Sequence, residues 1–511
     1  MKNELMSIKL ETFTEIKKSS TLWILGAFAT DDDKGKIQIK SLNKDLQKQL
    51  DSFSWYKTFQ AVLGQQLVLN LSADFNILLL GLGKEQDYNR EKFRRVLATT
   101  VKNLKGKELY SASVVLPSFL KKDFPETELV EVAAQSLLLA NYEFNKYKKS
   151  HAKKSKEILT FTLLHEQKSH DSYSKILTTQ KNLCESINFS RDLTNECPMI
   201  LTPVEMTKRI VADTKDNLKN VTIKIFDKKA LLKDKMNLLL AVNAGSTEEP
   251  RLVHLHYSPK KKAGKKSQHK HFSLVGKGVT YDTGGYSLKP ANGMAGMKMD
   301  MAGAATIYAI FRAAILTGHQ GELSCILAIT DNKVSGSAIV PDTIIEARSG
   351  KTVEILNTDA EGRLILADAL DYACDLKPDV IIDAATLTGG MLVALGTHVC
   401  GLFSNNDTLA KDLLKSAQNV DEYLWQLPIV QEYRDDMKSK IAEIKNIGSP
   451  GKNSSAQGAL FLEAFIKNNI PWAHLDIAGV ADTQTHLPYC PAYGASGIMI
   501  RTVVDYLNTK L

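Results

Sequence analysis

The sequence predicts an α/β chain of two α/β domains, the larger C-terminal one a mainly parallel central sheet flanked by helices. Three observations predict it. Short apolar runs bounded by turn residues alternate with segments of helical spacing, the pattern of strand–helix–strand units. The length of 511 residues suggests two to four domains at roughly 100–200 residues each. A polar, lysine-rich stretch from Lys146 to Lys156 interrupts the alternation. It places the boundary between there and about residue 185, giving domains 1–185 and 186–511.

The elements follow in order. Leu22 to Ala29 reads as a buried strand with a turn at Asp31-Asp32-Asp33. A secretory signal is the weaker reading, because the apolar run is short, contains Gly26 and follows Glu4, Glu11 and Glu15. Asn76 to Leu80 reads as a strand and Gly81-Leu82-Gly83 as a plain turn, lacking the third glycine of a dinucleotide fingerprint. Arg90 to Leu104 is helical, since Phe93, Val96, Leu97, Val101 and Leu104 share one face. Ser111 to Leu116 reads as a strand and Val130 to Leu139 as a helix. In the second half the strands are Phe272 to Val275, Ser324 to Ile329, Val353 to Leu356 and Val380 to Ile382. Gly303 to Leu316 and Leu364 to Leu376 are the main helices between them.

Composition narrows the class. The chain is 44% hydrophobic and 24% charged, which excludes a disordered or collagen-like protein. A net charge of +8 is modest for this size. The cluster Lys260 to Lys270 has no interleaved aromatic residue, so it reads as a solvated loop in preference to a nucleic-acid site. Six cysteines with no CxxC spacing fit reduced thiols in a cytoplasmic protein. Val380 to Phe403 is long and apolar but carries Asp383, His398 and several Gly, which argues against a membrane span.

Chemistry concentrates between Gly276 and Gly390. Three segments there pair a strand end with acidic residues and glycines, where ligands of open α/β sheets bind. They run from Val275 to Pro290, from Met297 to Ala304 and from Leu356 to Leu364. They bring Asp282, Asp300, Asp359 and Glu361. Four ionised carboxylates in apolar sequence repel one another unless cations intervene. Oxygen-ligated ions such as Mn²⁺, Mg²⁺ or Zn²⁺ answer that need, and two of them activate a water between them. Asp300 equally suits a helix N-cap, and Asp359 and Glu361 equally suit the positive end of the following helix. Spacing alone leaves a two-metal hydrolase and a phosphoryl-transfer enzyme both open.

The segments, in this order, resemble the leucyl aminopeptidase family (cytosol aminopeptidase, peptidase family M17). Asn357-Thr358-Asp359-Ala360-Glu361-Gly362-Arg363-Leu364 matches its signature octapeptide at every position. Arg191 to Asn195, Leu201-Thr202-Pro203, Asp383 to Gly389, Trp472 to Gly479 and Ala495-Ser496-Gly497 resemble further family blocks. The likeness is strong over about residues 185–511 and loose before them.

The resemblance implies a metal-dependent aminopeptidase acting on peptides with a free N-terminus. Lys277, Asp282, Asp300 and Glu361 would hold a tighter divalent metal, Mn²⁺ or Zn²⁺. Asp282, Asp359 and Glu361 would hold a more exchangeable one. Lys289 would stabilise the oxyanion, and Arg363 would hold a bicarbonate as general base. Met297, Thr386, Ala478 and Ala481 would line a pocket for leucine-like side chains. The family assembles as a homohexamer of two-domain subunits, and some bacterial members also bind DNA, an added role that the basic cluster would serve here. Three places depart from the family pattern: Pro341-Asp342, Asp331-Asn332-Lys333, and the loop Gly448 to Ser455.

Overall fold

A computed structural model describes residues 6–510 apart from 14–21, 31–36, 41–46, 49, 51, 53–57, 73–74, 106–110, 149–159, 167–169, 261–269, 450 and 452. The turn at Asp31 to Asp33, most of the stretch before Lys156 and nearly all of the Lys260–Lys270 cluster lie outside the described residues. The chain divides into two compact units. The first is Met1–Cys184 with Thr485–Pro491, and the second is Glu185–Gln484 with Ala492–Leu511. Both are mixed α/β, with sheets that are mainly parallel in their centres.

The first unit carries β1 (Ser7–Thr12), β2 (Leu22–Ala29), β3 (Ile37–Gln38), β4 (Gln66–Ser72), β5 (Phe75–Lys84), β6 (Ser111–Val115) and β7 (Thr160–His165). They form a sheet in the order β1-β7-β6-β2-β5-β4, with β3 beside β2. Helices Arg90–Leu104 and Glu126–Ala140 accompany it. The Gly81-Leu82-Gly83 turn does not form. β5 runs on to Lys84, because Gly81 N donates to Gln65 O at 2.8 Å and Gly83 N to Ala61 O at 2.8 Å. Carbonyls of the loop that precedes β4 thus satisfy the groups that a turn would have used.

The second unit contains β8 (Val221–Phe226), β9 (Arg251–Tyr257), β10 (His271–Asp282), β11 (Glu322–Asn332), β12 (Thr343–Glu346), β13 (Thr352–Ile355), β14 (Val380–Ala385), β15 (Cys400–Ser404), β16 (Leu424–Gln426), β17 (Ile444–Lys445) and β18 (Trp472–Asp476). Eight of these form one sheet in the order β16-β15-β18-β14-β10-β11-β9-β8. The central pairs β18·β14, β14·β10 and β10·β11 are parallel, and β9 joins β11 antiparallel. Four parallel strands therefore end along one edge of the sheet, the place where α/β sheets bind ligands.

The apolar run Val380 to Phe403 divides into β14, helix Gly389–Leu395 and β15. Among the described residues, Met297–Leu316 is the one segment long and apolar enough to cross a membrane, and 83% of it is buried inside the protein. Such a helix packs as core. All six cysteines are free, and all but Cys197 are buried.

Candidate metal centre

Each segment singled out in the sequence reaches the carboxyl edge by its own route. β10 is buried from Phe272 to Thr280, carries Lys277 within that stretch and delivers Asp282 as its last residue. The chain then turns through Gly284 and Gly285 at φ of +86° and +62°. A side chain at Gly284 is doubly excluded. Its Cβ would stand 2.8 Å from Asp359 Oδ1, and L-residues avoid this backbone region. Asp300 sits in a 3-10 turn, Met297–Met301, that leads into helix Ala302–Leu316. Met301 takes the N-cap position, so Asp300 is not the cap. Glu361 is the first residue of helix Glu361–Asp375, where the helix dipole favours a carboxylate.

These loops bring Asp282, Asp359 and Glu361 together, with one carboxylate oxygen of each within 4.8 Å of the others. Lys277 and Asp300 stand beside that group. Lys277 Nζ lies 2.7 Å from Asp300 Oδ1 and 2.9 Å from Glu361 Oε1. Gly362 makes room for this ammonium, since a Cβ there would meet Lys277 Cε at 2.5 Å. Lys289 Nζ lies 2.8 Å from Asp282 Oδ2 and also pairs with Asp359.

The donor set fits divalent cations. Lys277, Asp282, Asp300 and Glu361 are all buried. Asp300 Oδ2 and Glu361 Oε1 are buried yet accept no hydrogen bond, the Lys277–Glu361 pair being close in distance but poorly aligned. Buried carboxylate oxygens of that kind are expensive without a cation. The crowding shows in the acidities. Burial and the Glu361 carboxylate push Asp282 up to about 7, against the pull of Lys289 and Lys277. Burial acts to lower Lys277, but Asp300, Glu361 and Asp282 outweigh it and raise it. Lys277 is thus held as an ammonium by its neighbours, so coordination through its nitrogen releases a proton.

Arg363 is buried, and its Nη1 donates to Asn446 O at 2.7 Å. Its Nε has no acceptor, which suits a planar anion. Burial lowers this guanidinium to about 10, against the Glu361 and Asp476 carboxylates.

The residues expected to line a side-chain pocket differ in exposure. Met297 is half-buried in the 3-10 turn and Ala478 is half-buried just after β18, whereas Ala481 and Thr386 are buried. The Thr386 hydroxyl donates to Asp300 Oδ1 at 2.9 Å, and Lys277 Nζ donates to Thr386 O at 2.8 Å. Thr386 therefore holds the acid cluster directly and leaves only its methyl group for a pocket.

Three supporting residues escape sequence reasoning. Asn332 Nδ2 donates to Asp282 Oδ1 at 2.8 Å and to Thr358 O at 3.0 Å. Thr358 Oγ1 donates to Gly284 O at 2.6 Å and accepts from Ser287 N at 2.8 Å, stitching two ligand loops together. Asn446 accepts from Leu356 N at 2.8 Å and donates to Asn357 O at 2.6 Å. The signal available was Asn332 at the polar end of an apolar run. Nothing local marks Asn446.

Comparison with known proteins gives the family. The model of the cytosol aminopeptidase family catalytic domain matches residues 188–504, and that of the family's N-terminal domain matches residues 24–151. A probable cytosol aminopeptidase of Pseudomonas fluorescens (strain SBW25) is 39% identical over 449 residues, 87% of this chain and 88% of that one. One from Protochlamydia amoebophila (strain UWE25) is 36% identical over 469 residues, 91% of each chain. Among solved structures, the bottromycin maturation enzyme BotP in complex with Mn superposes with a TM-score of 0.82 at 27% identity, covering 96% of this chain and 99% of that one.

Proposed function

The chain belongs to the cytosol aminopeptidase family, a family of peptide hydrolases, and from that premise we propose that it releases N-terminal amino acids, leucine-like ones by preference, from short peptides in the cytoplasm. The observation that carries the reading is the group Asp282, Asp359 and Glu361, with carboxylate oxygens within 4.8 Å, beside the buried Asp300, whose Oδ2 accepts no hydrogen bond.

Lys277, Asp282, Asp300, Asp359 and Glu361 would hold two divalent cations, Mn²⁺ or Zn²⁺. When bound, the pair supplies Lewis acidity, making a water nucleophilic at neutral pH and polarising the scissile carbonyl. The chain's own residues do the rest. Lys289, an ammonium raised by Asp282 and Asp359 against the effect of its burial, remains charged throughout the working pH range. It stands at the edge of the cluster, where it can donate to the oxygen that gains charge in the transition state. The Arg363 fork, with Nε unpaired, would hold a bicarbonate as general base. Asn332, Thr358 and Thr386 fix the ligand loops before substrate arrives, so little reorganisation is needed during reaction.

A free amino terminus would ligate the more exchangeable cation as a neutral amine, and acetylation removes the lone pair that this needs. Met297, Ala478, Ala481 and the Thr386 methyl group offer an apolar wall for the first side chain. A homohexamer with enclosed sites is the assembly this reading carries.

The test is hydrolysis of leucine p-nitroanilide by chelator-stripped protein before and after Mn²⁺ or Zn²⁺ is restored. N-acetyl-leucine p-nitroanilide is the control. Metal-restored cleavage of the free amine alone is expected. Equal cleavage of both substrates, or none with either metal in folded protein, overturns the reading.

A further inference from the structure

A second cluster of metal-ligating side chains lies at the opposite end of β10 from the acids. β10 starts at His271, and its neighbours are β11 and β14, with β9 on the far side of β11. Register places Ser324 opposite both His256 and Ser273, and His254 lies two residues before His256 on β9. Side chains alternate along a strand, so His254, His256, His271, Ser273 and Ser324 share one face. Three imidazole nitrogens converge on one atom there. His254 Nε2, His256 Nδ1 and His271 Nε2 lie 3.3, 3.1 and 2.9 Å from Ser324 Oγ.

A hydroxyl donates one hydrogen bond and accepts two at most, so this arrangement saturates it. The rings themselves are half-buried and reachable from solvent. We propose that His254, His256 and His271 form a binding site for a zinc-class divalent ion, separate from the acidic centre. The ion would fasten β9 to the start of β10 across β11.

The neighbours suit this role. His254 Nδ1 is hydrogen-bonded to Tyr372 OH at 2.9 Å, which orients the ring as outer partners orient histidine ligands. Burial, together with His256, Lys224 and His271, lowers His254 to about 4, and burial and His256 lower His271 despite Glu322 and Asp379. Both rings are therefore neutral at physiological pH, as metal ligation requires. Zinc–nitrogen bonds are about 2.0–2.1 Å, so each ring moves in by roughly 1 Å and Ser324 Oγ swings aside. Its register partner Ser273 is buried with an unpartnered hydroxyl, ready to receive it.

This inference does not rest on the proposed peptidase reading, and its test is read without turnover. Untagged, chelator-stripped protein is equilibrated with Zn²⁺, desalted and assayed for zinc per subunit. His256→Ala and His271→Asn are each expected to bind one zinc fewer than wild type while keeping its circular dichroism spectrum. The double variant Asp359→Ala, Glu361→Ala should retain the histidine-bound ion. Loaded with Cu²⁺, that variant should show imidazole nitrogen couplings by electron paramagnetic resonance, because the acidic centre contains no histidine. Equal zinc counts in wild type and both histidine variants overturn the proposal. So does a Cu²⁺ spectrum of the double variant without imidazole couplings.

Discussion

Asn332→Ala tests whether the acid cluster is held in shape by residues outside it. Asn332 is 4% exposed and ends β11. Its Nδ2 donates at 2.8 Å to Asp282 Oδ1 and at 3.0 Å to Thr358 O. Alanine removes both bonds and leaves both acceptors buried. A bond to a charged group contributes about 1.5–3 kcal/mol and a neutral one about 0.5–1.5 kcal/mol, so the loss is roughly 2–4.5 kcal/mol. Urea unfolding in chelator should show that decrease. The functional consequence is separate. Losing a partner that orients a ligand weakens metal binding by about 10–100-fold. Titrating activity with Mn²⁺ should move the half-saturating concentration up by that factor, with kcat largely recovered at saturation. An unchanged half-saturating concentration in a variant that unfolds more easily would refute the reasoning, because Asn332 would then support the fold and not the site.

Three further predictions follow from the same geometry. Glu361→Ala should abolish turnover and lower the bound-metal count, since Glu361 faces Lys277 and belongs to the three-acid group; near wild-type kcat in folded protein would contradict its assignment. Lys289→Ala should reduce kcat far more than it raises KM, because its contribution is made in the transition state, and a change in KM alone would remove that role. The third concerns pH. His254 titrates near 4 in the fold and near its ordinary 6.5 when unfolded, so the unfolded chain binds more protons between those values. Its share of stability is complete above about 6.5 and lost as pH falls toward 4. Unfolding midpoints of wild type should therefore drop relative to His254→Gln across that window, and parallel curves would count against the shift.

Much of this architecture was legible because the site residues punctuate apolar runs. Asp282 closes β10, and Glu361 opens a helix whose apolar spacing is plain. The extent of β10 was not legible. Gly276, Lys277 and Gly278 break its apolar run, so the strand reads as ending at Val275. The glycines answer to tertiary contact: a Cβ at Gly276 would lie 2.6 Å from Ala304 Cα, in the helix packed across the strand. Lys277 is buried there because Asp300 and Glu361 receive it, a fact spread over 85 residues of chain. Asn446 supports Asn357 from 89 residues away, and no local pattern announces such a bond. The edge strand β8 leaves Thr222, Lys224 and Ile225 exposed, so no buried apolar run marks it.

The most direct measurement is anomalous diffraction from crystals of this protein soaked in Mn²⁺. Two manganese peaks per subunit are expected among Lys277, Asp282, Asp300, Asp359 and Glu361, with both peaks missing in Glu361→Ala crystals. A single peak, or none within reach of these five side chains in crystals that take up manganese elsewhere, would contradict that expectation.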